Sequence, residues 1–538
     1  MEESPYFVGN LCYDPLSKQE NIDALTLLLK IVKSCIGPRG KLKLIRNASG
    51  GYTTVTSTSS RLFHSLSVKN HFNKMVLSSV KSHLRTYKDG GLLCALFPLT
   101  LIHHSSLCDI PSFLKAKLYE YCVETYIACL NSVENHCVWK LDPSNFQHLQ
   151  AVTRTIISSK LECLLSSSQR DQLCALLLEL FLNIFPSSHL NFRFLTLEGR
   201  NMSESRMLNM LLVRVSKTDW MLFRPPHRHL KVALFTSPLS SDEHGSLKQL
   251  EGKLVSAKVD VVFCQKVVDP SVKKHLNDEG ITVFDQLGTE TTTFLKYLLD
   301  DCVIATLHNV DDLCFKSIKC FKEEIGKKHY ILLQKEEHNF SSIILCHSNQ
   351  EFLSEMKVVC EQVIATLFRL LQNPKVCFGA GCTDIFTALL LTQKIKKESR
   401  DIAANFQCTD DKILSVLSYF LLSLTSTAIS PHQESPLMFK VDTKYWHLWK
   451  MDDKSDSPSK ICCCGHCSIS DSESLSWYSL SDLIQIPDSV SCDKPSFEEI
   501  RIIDELSSKL NAITVGGEVA LSLLKTHLCI FTATHAFS

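Results

Sequence analysis

Apolar positions recur three and four residues apart near the start of the chain. Ile22, Leu25, Leu29, Val32 and Ile36 share one helical face. Ile36-Gly37-Pro38-Arg39-Gly40 interrupts that pattern, as glycine and proline do. Gly50-Gly51 then leads into the β-prone run Tyr52-Thr53-Thr54-Val55-Thr56. A further helix is predicted up to Tyr87-Lys88-Asp89-Gly90-Gly91, with an apolar segment from Leu92. Phe146, Leu149, Val152 and Ile156 align as an amphipathic helix over 144–162, and helical character runs on to about 186.

From about 190 the pattern changes. Lys231-Val232-Ala233-Leu234-Phe235 and Val259-Asp260-Val261-Val262-Phe263-Cys264 read as strands. Asp269-Pro270 offers an N-cap followed by proline at the first helical position. That helix runs to about Asp278, stops at Gly280 and feeds the strand Ile281-Thr282-Val283-Phe284. A strand–helix–strand unit this compact predicts parallel pairing with a right-handed crossover. A long helix follows near 350–372 and ends at Asn373-Pro374. Val376-Cys377-Phe378 enters Gly379-Ala380-Gly381, which opens another helix through Leu391.

The last third is helical again, interrupted by a Ser- and Asp-rich stretch, 451–496, read as an exposed insertion. Helical sequence therefore flanks a central α/β part. If the flanks pack together, the middle is an insertion within an outer domain.

At 538 residues the chain exceeds what one core supports, so several domain-sized units are expected. Apolar residues make up 45% and charged residues 21%, which opposes a mainly disordered chain. Lys+Arg and Asp+Glu are both 57, so no global basic field exists to hold nucleic acid or an anionic membrane. The lysine-rich patches at Lys273-Lys274-His275 and Lys394-Lys396-Lys397 read as solvated helix faces. No membrane span is expected. Leu92 to Ile102 is too short, and Ile413 to Ile429, though uncharged, carries several Ser and Thr and reads as a core helix. The 24 cysteines sit mostly in apolar runs, and Met1-Glu2-Glu3-Ser4-Pro5 has no signal-peptide character. A reducing compartment is the expectation.

Three glycine loops carry the chemistry: Gly37-Pro38-Arg39-Gly40, Asp89-Gly90-Gly91 and Gly379-Ala380-Gly381. Glycine at a helix boundary frees backbone N–H groups to approach an anion. Taken in order with their context, they resemble the group II chaperonin family, the archaeal thermosome and the eukaryotic cytosolic chaperonin. Residues 35–40 look like its TLGPKG loop, 54–59 occupy the place of TITNDG, and 89–91 stand where GDGTT is expected. Residues 156–160 resemble TSLNSK, 260–266 and 280–281 resemble the segment VVISQKGID…GI, and 379–384 resemble GGGATE. The chain looks closer still to a divergent vertebrate subgroup of chaperonin-like proteins, the Bardet–Biedl group. That likeness lies in residues 31–35, 231–235, 262–266 and 445–449.

The resemblance implies a group II chaperonin-like multidomain fold of α and α/β parts. It has a helical equatorial domain (1–125 and 376–538), a small intermediate hinge (126–190 and 346–375) and an α/β apical domain (191–345) with a shortened protrusion. It also implies an ATP and Mg²⁺ site whose carboxylates hold the metal and orient water. Those carboxylates look mostly replaced: Thr58 and Ser59 stand for the Asp and Gly of TITNDG, Ser354 for the Asp of HDAL, and His527 for the Asp of ILRID. Glu355 is adjacent to Ser354 but points about 100° away around a helix. No catalytic residue is assigned. A degenerate pocket of Gly37, Pro38, Gly40, Asp89, Gly90, Gly91, Gly379, Ala380 and Gly381 leaves room for weak ATP/Mg²⁺ binding, and no cofactor is required.

Cys462-Cys463-Cys464-Gly465-His466-Cys467 offers soft ligands suited to zinc. No second pair at finger spacing accompanies it, so these are read as loop cysteines and no metal is assigned. Trp446 and Trp449 are read as core or interface anchors.

The expected function is protein assembly without effective ATP hydrolysis. The implied partners are other Bardet–Biedl chaperonin-like proteins, the cytosolic chaperonin (TRiC), and, as clients, subunits of the BBSome, a ciliary trafficking complex. The implied place is cytoplasm, centrosome and ciliary basal body. The alternatives are an active ATP-dependent chaperonin subunit and a stand-alone scaffold.

Overall fold

The structure, a computed structural model, describes residues 10–46, 53–132, 134–161, 164–186, 192–224, 229–240, 246–305, 315–335, 340–432, 439–442, 446–451, 457–470, 474–485 and 502–531. Gly50, Gly51, Tyr52, Tyr445 and parts of the 451–496 stretch lie outside them.

The chain forms two compact units. One is split, made of residues 1–174 and 358–538; the other is continuous, residues 175–357. The boundaries run through the helices Ser167–Ile184 and Gln350–Gln372. The stretches 126–174 and 358–375, read above as hinge, fall within the split unit.

The split unit is mainly helical. Its core gathers the helices Gln19–Lys33, His71–Tyr87, Gly91–Ser105, Ser112–Asn131, Asp410–Ile429 and Leu506–Lys525. Gly91–Ser105 is apolar nearly all round and buried nearly all round, as a central helix must be. Phe420 meets Phe97, Tyr119 and Tyr126 with ring centroids 6.2–6.4 Å apart. Among the described residues one helix, Asp410–His432, has the length and hydropathy to cross a membrane, but 67% of its apolar window is buried inside the protein. Gly516 and Gly517 sit where that core is tightest. A Cβ on Gly517 would lie 2.8 Å from the Val123 side chain.

Short sheets edge the split unit. Lys375–Phe378 pairs antiparallel with Ile503–Glu505 on one side and Val138–Lys140 on the other. Lys43–Arg46 pairs with Thr53–Thr56, and Asn10–Tyr13 with Leu528–Phe531. Phe439–Asp442 pairs with Leu448–Lys450 and Trp477–Ser479 over a second core that contains Trp446, Trp449, Leu480 and Leu483.

That second core corrects the exposed-insertion reading. Cys462, Cys464 and Cys467 are buried, so the described part of 451–496 is packed rather than a solvated loop. Serine content misled because the apolar residues there are few but converge on two tryptophans.

The continuous unit is α/β. Its six-stranded sheet runs in the order Thr282–Phe284, Val261–Cys264, Leu230–Phe235, Lys316–Ile325, Lys328–Gln334, Leu211–Val215. The first three strands are parallel, with Val261 opposite Val232 and Val262 opposite Val283. The crossover helix is Pro270–Asp278, and Asp269 caps it by accepting from Ser271 N–H at 2.8 Å. Strands, helix and cap match the sequence reading. Between Leu230–Phe235 and Val261–Cys264 the described chain holds one helix, Ser246–Ser256. A smaller sheet orders Phe192–Glu198, Ser341–His347 and Arg206–Leu208.

Candidate functional site

Two of the glycine loops become left-handed helix starts. Gly90, at φ 74°, precedes Gly91–Ser105; Gly381, at φ 83°, precedes Cys382–Phe406. The third, Gly37 at φ 82°, follows the first long helix. An added Cβ on Gly381 would fall inside the Ala428 carbonyl, and one on Gly37 inside that of Pro431. These turns therefore need glycine for close backbone approach as well as for φ.

All three loops open onto one cleft of about 1160 Å³ within the split unit. Gly37, Pro38, Asp89, Gly90, Gly91, Ala380 and Gly381 line it. Gly40 and Gly379 do not. Gly40 donates its N–H to Gly37 O at 3.0 Å and closes the first turn from behind. Gly379 backs onto Ile502 and Asp504. Two helix N-termini and a run of glycine N–H groups make a cradle suited to phosphate oxygens.

The other expected positions separate. Thr58 is buried at the N-cap of Ser59–Ser65, 3.1 Å from the Thr56 hydroxyl, and Ser59 is the one that lines the cleft. Ser354 requires correction. It lies near the start of Gln350–Gln372 and donates back to Gln350 O at 3.0 Å. The residues of that helix that line the cleft are Gln362 and Thr366, farther along. Motif order alone does not set which turn of this 23-residue helix looks into the cleft. His527 is corrected too: it is exposed beside Asp14 at 3.3 Å, next to the strand Leu528–Phe531, away from the cleft lining.

The expectation that carboxylates are mostly missing also changes. Asp89, Asp384, Asp504 and Glu505 line the cleft. Antiparallel pairing to Lys375–Phe378 sets Asp504 opposite Cys377, one residue before Phe378 leads into the glycine turn. What distinguishes these groups is that each is engaged. Asp89 Oδ1 accepts from its own loop at Gly90 N–H, 2.6 Å. Asp384 accepts from Lys509 Nζ at 2.8 Å and from the Tyr126 hydroxyl at 3.1 Å. Asp504 lies 3.5 Å from the same ammonium. Glu505 takes Arg369 Nε at 3.1 Å and caps Leu506–Lys525 by accepting from Ser507 and Ser508 N–H.

Burial raises the Asp504 carboxyl above its ordinary range, and the neighbouring Asp384 and Asp89 add to that while Lys509 opposes it. Its side chain keeps 40% of its surface, so the pressure comes from sitting on the floor of a concave cleft beside two other carboxylates. For Lys509, burial alone would lower the ammonium; Asp384, Cys377 and Asp504 outweigh it and hold the group protonated.

A polyphosphate therefore fits the glycine turns and the two helix starts. A divalent ion fits less well: the helix facing the cleft supplies an amide and a hydroxyl, Asp384, Asp504 and Glu505 already meet Lys509 or Arg369, and Asp89 is held by the Gly90 N–H. Sequence reasoning missed Gln362, Thr366, Asp504, Ser508 and Lys509. A strand ending in Ile503-Asp504-Glu505, with a helical lysine one turn later, was the signal available.

Comparison with known proteins agrees with the architecture. The TCP-1/cpn60 chaperonin family matches residues 28–407. Molecular chaperone MKKS of Mus musculus is 28% identical over 497 aligned positions, covering 86% of this chain and 87% of that protein. The protein of the same name from Homo sapiens is 27% identical over 547 positions, covering 95% and 96%. Thermosome subunit 2 of Haloferax volcanii is 19% identical over 397 positions, covering 69% and 70%.

Proposed function

From a chain that belongs to the TCP-1/cpn60 chaperonin family, as a divergent group II chaperonin-like protein, we propose a protein-assembly factor that holds nucleotide weakly and hydrolyses it ineffectively. The observation that carries this reading is the cleft's charge pairing. Phosphoryl transfer is mostly positioning and charge neutralisation, and it needs free carboxylates on a metal and an attacking water. Here Asp384 and Asp504 share the single Lys509 ammonium, Arg369 pairs with Glu505, Asp89 is turned onto its own loop at Gly90 N–H, and the helix wall offers Gln362. An amide can hold a water but cannot take its proton.

On this reading the protein works with other chaperonin-like proteins of the Bardet–Biedl group and with the cytosolic chaperonin, and its clients are BBSome subunits. Its places of work are cytoplasm, centrosome and ciliary basal body. The similarity to proteins named molecular chaperone MKKS supports the chaperone part of this reading.

The test is turnover measured beside binding on the purified full chain, with native pull-down of associated proteins. Saturable ATP binding with turnover at background, and recovery of chaperonin-like partners and BBSome subunits, is expected. ATP hydrolysis at the rate of an active chaperonin would overturn the proposal.

A further inference from the structure

Beside the cleft, the buried second core brings together five soft donors from three separate stretches of the chain. Cys382 is the first residue of its helix, directly after Gly381. His447 precedes the strand Leu448–Lys450, and Cys462, Cys464 and Cys467 come from the packed part of the insertion. All five are buried. They form two triads that share His447, one with Cys382 and Cys464 and one with Cys462 and Cys467; within each triad the ligand atoms lie within 4.8 Å of one another.

The local geometry is built for a shared cation. Cys462 and Cys464 sulfurs lie 3.1 Å apart, well beyond the roughly 2.05 Å of a disulfide. His447 turns Nδ1 toward Cys464 at 3.4 Å and Cys467 at 3.3 Å, and its Nε2 toward the Cys137 sulfur at 3.8 Å. The second nitrogen thus has its own partner, which fixes the ring and leaves Nδ1 for the cluster. Cys462 Sγ accepts two backbone N–H groups, from His466 at 3.2 Å and Cys467 at 3.1 Å. Two amides converging on one sulfur favour a thiolate. The knuckle is closed by Gly465, at φ 72°, donating to Cys462 O at 2.8 Å, and by Cys462 N–H donating to Cys467 O at 2.9 Å.

Neutral thiols have no reason to converge this closely. A tetrahedral ion with metal–sulfur bonds near 2.3 Å would bring its sulfurs to within about 3.8 Å of one another. The thiolate and imidazole set selects zinc over hard cations. We propose that His447, Cys382, Cys462, Cys464 and Cys467 form a structural zinc site, four of the five closing the tetrahedron. It fastens the glycine turn at Gly381 to the strand Leu448–Lys450 and to the insertion; Lys450 of the strand and Cys463 of the insertion line the same cleft. Ligands leave no open coordination position, so the site is structural rather than catalytic.

The test is metal analysis of the full-length protein purified without chelator or added metal, with about one zinc per chain expected. Replacing zinc by cobalt should give a sulfur-to-cobalt charge-transfer band and the visible bands of a tetrahedral ion. Cys464→Ser and Cys467→Ser should lose most of the metal, whereas Cys408→Ser, outside the cluster, should keep it. Zinc near zero together with no tetrahedral cobalt spectrum on the wild-type chain would overturn the proposal, whatever the variants do. So would peptide mapping that finds these cysteines disulfide-bonded in protein kept under reducing-compartment conditions.

Discussion

Gly381 and Cys382 are neighbours in sequence but belong to two opposite kinds of site. The cleft at Gly381 is open, and three of its four carboxylates meet a cation of the protein: Asp384 and Asp504 share Lys509, and Glu505 pairs with Arg369. The cluster at Cys382 is closed, and its buried donors face one another. A self-compensated site persists without ligand and makes little use of one. An uncompensated buried donor set gains most from an ion. The difference between the two predicts which one the fold depends on.

The largest effect expected is therefore loss of the zinc cluster. If free zinc stands a thousandfold above its dissociation constant, stripping it by chelation removes about 4 kcal/mol of stability. Thermal unfolding of the wild-type chain with and without chelator reads this directly, and an unchanged midpoint breaks the comparison.

Next comes the ion pair inside the cleft. Lys509→Met leaves Asp384 a buried unpaired carboxylate and should cost about 3 kcal/mol. The double variant with Asp384→Asn should recover most of it, because both partners are then neutral. If the single variant is as stable as the wild type in denaturant titration, the cleft is not self-compensated.

Gly381→Ala should cost about 2 kcal/mol from left-handed backbone strain, with further loss where the added carbon meets Ala428. It should also weaken nucleotide binding measured by calorimetry. The three glycine loops were legible in the sequence because glycine at a helix boundary, before two helices and after a third, interrupts the apolar periodicity. Gln362 was not, since the helix Gln350–Gln372 has no internal marker that sets which face looks into the cleft. Asp504 and Lys509 were hidden for a related reason: their partner Asp384 lies more than a hundred residues away in the chain.

Gln362→Asp sharpens the functional half of the comparison. A carboxylate on that face should raise ATP turnover about tenfold over the wild-type background, equivalent to about 1.4 kcal/mol of barrier. No rise places the block in the paired carboxylates instead.

The smallest effect expected is a pH dependence in the helical core. Burial, with His103 and Lys33 adding to it, lowers His104 from 6.5 to about 4, while its Nδ1 sits 3.1 Å from the Ser423 hydroxyl. The unfolded chain takes up this proton first as pH falls. The stability this group contributes is therefore full above 6.5 and is lost progressively down to about 4. His104→Gln should flatten that part of the stability–pH curve; an unaltered slope would assign it to other groups.

The sequence by itself determined the helical flanks, the parallel strand–helix–strand of the centre, the capped crossover helix and the glycine turns. Each rests on local periodicity or on a conformation that only a few residues adopt. Tertiary structure alone decided which helix face looks into the cleft, which acids find a cation, and that a serine-rich insertion buries its cysteines. Those outcomes depend on groups brought together across hundreds of residues, where local pattern carries no information about distance.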